Sequence, residues 1–185
     1  MIIYLHGFCS SPASWKSRLL AEEMDRRGLA AHFLCPQLSP VPAEAVAAVS
    51  RLIEQVDGPV TLVGSSLGGH YANHLAEMHG LNAVLINPAV VDRLDLSRFI
   101  GDHVNFHSGE AFSFTAAHAS QLTAQVRRPS PERYRLLLEE GDEVLDYRQA
   151  VDFYAGCRQT VLARGDHSFT RFPEYIQQIL EFAGL

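Results

Sequence analysis

Gly64-Ser65-Ser66-Leu67-Gly68 sets a serine hydroxyl midway between two glycines. Val60-Thr61-Leu62-Val63, aliphatic and β-branched, precedes it and reads as a buried strand. His70 to His79 follows with alanines, a leucine and a methionine and reads as a helix. Strand, tight turn with serine at its apex, then helix is the setting of a nucleophile elbow. The turn brings backbone segments too close for a Cβ, so Gly64 and Gly68 are required, and Ser66 is expected in strained φ/ψ. A phosphate-cradling loop uses similar glycine spacing but needs a lysine just after its second glycine. The chain's only lysine is Lys16, so that alternative fails.

A serine hydroxyl is a weak nucleophile until a base takes its proton. Behind such an elbow the partners follow in the order serine, acid, histidine. Of nine histidines, His167 alone follows the last expected strand and precedes the last helix. His6 ends the first strand, His32 lies in the second, and His70, His74 and His79 lie on the elbow helix, where packed or surface roles are expected. His103, His107 and His118, with Glu110, could in principle hold a metal, but their spacing matches no ligand pattern. For the acid, Asp142 directly follows the Gly141 turn and is the first choice, to accept from His167 Nδ1 and leave Nε2 facing Ser66. Glu143, Asp146 and Asp166 compete with it, while Glu140 precedes the turn. The oxyanion donors should be backbone N–H groups: Leu67, directly after the serine, and Phe8, in the loop after the first strand.

These residues need a frame. Ile2–Leu5, Ala30–Leu34, the strand before Ser66, Leu81–Ile86, Tyr134–Leu138 and Gln159–Ala163 read as six strands. Helices are expected between them: one capped by Ser11 with Pro12 in its first turn, one from Pro42, one from about Asp146 to Tyr154, and a closing one from Phe169 to Phe182. Alternating strands and helices predict an α/β fold, a three-layer sandwich around a mainly parallel sheet. If the second and third strands flank the first, the C-terminal ends of strands one and three form the crevice where such sheets bind ligands. Those ends carry Phe8 and Ser66. From Ala89 to Glu132 the alternation lapses into an excursion rich in phenylalanine. Phe106, Phe112 and Phe114 are its candidates for lining a substrate site as a lid, or for anchoring the segment to the body.

The 185 residues are expected to form one domain, with 89–132 as the excursion. Hydrophobic content of 47% and charged content of 19% are those of an ordinary globular chain. Net charge of −6 disfavours nucleic acid and anionic membrane as partners. Cys9, Cys35 and Cys157 are odd in number and widely spaced, which points to reduced thiols and a cytoplasmic setting. The opening apolar run is too short for a signal peptide or a membrane span.

Five blocks together resemble the small bacterial esterases of the YqiA family, in the α/β-hydrolase superfamily. They are Tyr4-Leu5-His6-Gly7-Phe8 with Ser10-Ser11-Pro12, Gly64 to Gly69, Asn87-Pro88-Ala89, Gly141 to Tyr147, and Gly165-Asp166-His167-Ser168-Phe169. The resemblance spans nearly the whole chain. It implies an α/β-hydrolase-like fold lacking the usual first strands, with a short cap in the excursion. It implies hydrolysis of carboxylic esters, with acyl-CoA thioesters as a further substrate class, and no cofactor. It assigns nucleophile, acid and base to Ser66, Asp142 and His167. The sequence departs from the family pattern at Gly101 to Phe106, so substrate preference does not carry over. A hydrolase-fold protein acting mainly as a partner-binding module is the alternative reading.

Overall fold

Consecutive residues of the first strand point to opposite faces of a sheet, and here both faces are apolar. In the computed structural model, which describes residues 1–185, β1 (Ile2–Leu5) is completely buried. Ile3 and Leu5 enter one core and Ile2 and Tyr4 the other. The strands β2 (Phe33–Leu34), β3 (Thr61–Ser65), β4 (Asn82–Ile86), β7 (Tyr134–Glu139) and β8 (Arg158–Leu162) join β1 in a six-stranded sheet of order β2-β1-β3-β4-β7-β8. Every pairing in it is parallel. Helices α1 (Trp15–Arg26) and α6 (Phe172–Phe182) cover one face. Helices α2 (Pro42–Glu54), α3 (Leu67–His79) and α5 (Tyr147–Phe153) cover the other. No helix is long and apolar enough to cross a membrane.

β1 lies between β2 and β3, which meets the condition under which the ends of strands one and three form the crevice. The register aligns Leu5 with Gly64, Ser65 with Ile86, and Glu139 with Leu162. The C-terminal strand ends thus form one edge.

Four boundaries differ from expectation. The elbow helix begins at Leu67 rather than His70, directly after the serine. Ala30–His32 is a 3-10 turn, and only Phe33 and Leu34 pair, against Ile2 and Ile3. This is an edge strand with one neighbour, so little holds its first residues in the ladder. Ser11 does not cap α1. Its hydroxyl accepts from Ala13 N–H and its carbonyl from Ser14 N–H, closing a turn that delays the helix to Trp15. The last helix starts at Phe172 rather than Phe169, because Phe169, at φ 56, lies in the turn that carries His167.

The excursion has structure of its own. An antiparallel hairpin, β5 (Gly101–Val104) and β6 (Ala111–Phe114), is followed by α4 (Ala116–Ala124). A capping box between Thr115 and His118 starts α4. Buried Gln125 roots its end: its side-chain Nε2 donates to Pro42 O, and its backbone carbonyl accepts from His74 Nδ1.

The α3 surface beneath α4 holds two buried histidines. Burial pushes the His70 pKa down to about 4 and lowers that of His74. Between pH 4 and the ordinary histidine value near 6.5, the unfolded chain therefore binds more protons at these positions than the folded one, and stability rises with pH. Acidification through that window should cost on the order of 3 kcal/mol at His70 alone. In urea melts from pH 7 to pH 4, His70→Gln should lose stability less steeply than the parent; equal slopes would refute the assignment.

Candidate active site

A residue ending a buried strand and opening a helix within one step has to bend the chain sharply. Ser66 does so at φ 55, ψ −122, a region that side chains rarely adopt. Hydrogen bonds on both sides hold it. Its N–H donates to Ile86 O at 3.0 Å, and its carbonyl accepts from Gly69 N–H at 2.9 Å and Ala89 N–H at 3.0 Å. A methyl at Gly68 would overlap the Leu5 carbonyl, and one at Gly64 would overlap the carbonyl of Gly68. The elbow therefore packs directly on the end of β1.

The structure brings three of the expected residues together. Ser66 Oγ lies 3.0 Å from His167 Nε2. His167 Nδ1 lies 2.9 Å and 2.8 Å from the two carboxylate oxygens of Asp142. The Asp142 side chain is 2% exposed and that of His167 20%. Asp142 Oδ1 also accepts from Val144 N–H at 2.9 Å and Leu145 N–H at 2.8 Å, which fixes the carboxylate. With Nδ1–H donated to Asp142, the lone pair of Nε2 faces the serine hydroxyl.

The competing acids have other partners. Glu143 accepts from the His167 N–H at 2.9 Å. Asp166 accepts from the Thr170 hydroxyl at 3.0 Å, and Asp146 caps α5 through Arg148 N–H. His6 is buried and uses both nitrogens, Nδ1 toward Gly7 O and Nε2 accepting from Leu38 N–H; burial lowers its pKa. His103 Nε2 donates to Phe99 O, and His118 belongs to the α4 cap. No group of three or more His, Cys, Asp or Glu side chains is gathered as a metal site would require.

Phe8 N–H donates to no protein atom, and Leu67 N–H is the first of α3, where helix geometry provides no partner. The loop carrying Phe8 runs close over the serine: a Cβ on Gly7 would lie 3.3 Å from Ser66 Cβ. A cavity of about 470 Å³ opens here, and 14 of its 23 lining residues are hydrophobic. Ser66 and His167 lie in its wall with Phe8, Leu67, Phe99 and Phe114. Phe106, 79% exposed, lines it too. Phe112 instead lines an adjoining cavity of about 280 Å³, together with Phe8, Phe114, His6 and Leu38.

Sequence reasoning assigned no role to the residues that hold the His167 loop. Asn87, at φ 40, donates through Nδ2 to Asp166 O and His167 O, and accepts from Glu139 N–H. Glu139, fully buried, accepts from Asp166 N–H at 2.7 Å. Gly165, at φ 83, has no room for a Cβ beside that carboxylate. Lys16 is buried and donates to Ser168 O at 2.6 Å. Burial pulls its pKa down to about 8, against the opposing pull of Asp166, Glu139 and Asp142. Its being the only lysine was the one available signal.

A parallel sheet with an elbow serine at its switch point and helices on both faces defines an α/β-hydrolase fold. Solved structures agree. Alpha/beta hydrolase domain-containing protein 10 from mouse superposes with a TM-score of 0.71 at 21% identity, covering 97% of this chain and 88% of its own. A structure from the metagenome-derived lipolytic enzymes LipS and LipT superposes at 0.70 and 17% identity, covering 99% and 92%. The chain belongs to the family described as Uncharacterised protein family (UPF0227), whose model matches residues 1–184. A UPF0227 protein of Shewanella loihica is 30% identical over 187 residues, 98% of each chain.

The buried ammonium of Lys16 is a test of this scaffold. Lys16→Met should lower stability by about 2–3 kcal/mol, the worth of a charge-assisted hydrogen bond in a partly dry site. Urea unfolding at pH 7 measures it, and a midpoint equal to the parent's would refute the role.

Proposed function

We propose that the chain is a serine hydrolase of carboxylic esters, with acyl-CoA thioesters as a further substrate class. The observation that carries this reading is the 3.0 Å approach of Ser66 Oγ to an imidazole whose other nitrogen is held by Asp142. In the proposed reaction Ser66 Oγ attacks the acyl carbon as His167 Nε2 takes its proton. Asp142 keeps the ring oriented and stabilises the imidazolium. The negative oxygen of the tetrahedral intermediate is held by Phe8 N–H and Leu67 N–H, each worth roughly 3 kcal/mol in the transition state. His167 returns the proton to the leaving oxygen or sulfur, and an acyl group remains on Ser66. Water then attacks that acyl-enzyme with His167 as base, releasing the acid and restoring the serine. No cofactor enters these steps.

The apolar cavity beside Ser66 fits an acyl chain better than a polar group. The description of LipS and LipT as lipolytic enzymes supports the ester class. In this reading residues 1–185 are one hydrolase domain and 89–132 its cap, with Phe106 and Phe114 against the acyl chain and Phe112 behind them. The partner is a small-molecule ester or thioester, not nucleic acid or membrane. Three free thiols support a cytoplasmic setting.

Ser66→Ala should abolish labelling by a fluorophosphonate probe and remove p-nitrophenyl ester turnover, and His167→Ala should lower kcat by about 10⁴-fold or more. Retained turnover in the serine variant would overturn the assignment. Phe114→Ala should move chain-length preference toward longer acyl groups on a panel of oxygen esters and acyl-CoAs, since it enlarges the cavity wall at a residue 2% exposed. An unchanged preference would remove Phe114 from the acyl site.

A further inference from the structure

An oxyanion donor works only if it is aimed before the charge forms. Leu67 N–H is aimed by α3 itself. Phe8 N–H sits in a loop with no helix or strand to hold it, and its holder lies almost a hundred residues away. The Phe8 ring packs edge-on against four rings of the excursion: His103 at 4.8 Å, Phe112 and Phe114 at 5.6 Å, and Phe99 at 6.1 Å. The next two carbonyls are also taken by the excursion. Cys9 O accepts from Phe106 N–H at 2.8 Å, and Ser10 O accepts from Asn105 Nδ2 at 2.7 Å.

Cys9 shows why these bonds matter. It stands at φ 54, a left-handed conformation that costs a non-glycine residue about 1 kcal/mol or more. Such a conformation persists only where its surroundings over-determine it. The two hydrogen bonds from the hairpin tip are attached directly to that strained step. They hold the chain on the C-terminal side of Phe8, so without them Cys9 is free to relax and the Phe8 backbone, one residue before, is no longer fixed from that side.

Asn105 is built for both ends of this link. Its Oδ1 accepts from His107 N–H at 2.9 Å and Ser108 N–H at 3.1 Å, closing the hairpin tip. Its Nδ2 reaches out to Ser10 O. The acceptor half shapes the excursion, and the donor half ties the excursion to the oxyanion loop.

We infer that Asn105 is a positioning residue for the oxyanion hole, acting through the Cys9–Ser10 backbone to aim Phe8 N–H, so that the cap completes the catalytic machinery as well as walling the cavity. This rests on the reading of Ser66 as nucleophile and Phe8 N–H as oxyanion donor. The link is to transition-state stabilisation and not to substrate binding, so its loss belongs in kcat rather than KM.

The test compares two octyl ketones on the parent and on Asn105→Ser. Octyl trifluoromethyl ketone accepts Ser66 Oγ at its carbonyl carbon, with the serine proton passing to His167, and leaves an oxyanion in the hole. Octyl methyl ketone fills the same cavity without that addition. Serine keeps an acceptor for the hairpin tip but cannot reach Ser10 O. Asn105→Ser should bind the trifluoromethyl ketone about tenfold more weakly, the equivalent of one hydrogen bond's aim, and the methyl ketone within about twofold of the parent. For an octanoyl ester, kcat should fall by about the same factor with KM unchanged.

Equal loss for both ketones, or none for either, would overturn the inference and leave the nucleophile assignment standing. A parent protein that does not bind the trifluoromethyl ketone more tightly than the methyl ketone would overturn the catalytic reading, and this inference with it. Should Asn105→Ser not fold, Asn105→Asp keeps the tip acceptor, removes the donor, and carries the same comparison.

Discussion

The strained backbone of Ser66 is what the rest of the molecule accommodates. A side chain at φ 55, ψ −122 costs on the order of 1–3 kcal/mol, and it survives because the N–H and the carbonyl of Ser66 are both hydrogen-bonded. The β4 end supplies the acceptor for its N–H, and α3 and the Pro88–Ala89 turn supply the donors for its carbonyl. Once that peptide is locked, the direction of the Ser66 Cα–Cβ bond is set. The glycines of the elbow follow from the same constraint, because a chain bent this sharply lies against the end of β1 with no space for a methyl at Gly68. The closeness of β1 then brings Phe8 to the serine. Ser66 and the Phe8 loop are neighbours because of one tight turn.

The histidine side of the site is organised by charge. Asp142 and Glu139 are both withdrawn from water, and a carboxylate there must be met by donors. Asp142 is met by two backbone N–H groups and the imidazole. Glu139 takes Asp166 N–H, with Arg171 Nε at 3.7 Å from its second oxygen. Lys16 then places its ammonium on the Ser168 carbonyl, among these same carboxylates. The loop from Gly165 to Phe169 is thus gripped from β4 by Asn87, from β7 by Glu139 and from α1 by Lys16. This is how a loop residue holds an imidazole within hydrogen-bonding reach of a rigid elbow.

What the sequence made legible and what it hid follow from the range of the interactions. The strands of the sheet and the elbow are written in local periodicity and in one glycine pattern, so they can be read without knowing what packs against what. Asp142 and His167 could be found because their places at strand ends follow from that topology. Asn87, Lys16, Glu139 and Asn105 act across separations of 79, 152, 27 and 95 residues on partners that are mostly backbone atoms, and backbone atoms carry no sequence signature. The hairpin of the excursion was hidden for another reason. β5 is Gly-Asp-His-Val, mostly exposed, with no apolar alternation to declare it. The same weakness explains β2, which pairs through only two residues at the sheet edge.

The place where the excursion enters the chain bears on what it can control. It leaves after β4 and returns before β7, which pair directly in the sheet, so the sheet itself is uninterrupted. Its rigid anchorage lies elsewhere, at Gln125 against α2 and α3 and at the Phe8 cluster. The hairpin's own attachments to the body include the carbonyls of Cys9 and Ser10, beside the proposed oxyanion donor. A ligand that fills the apolar cavity touches Phe8 and Phe114 together, on the two sides of that attachment. On the proposed function, contact made with an acyl chain is felt at the loop that carries Phe8 N–H, the form in which remote binding energy raises a rate instead of an affinity.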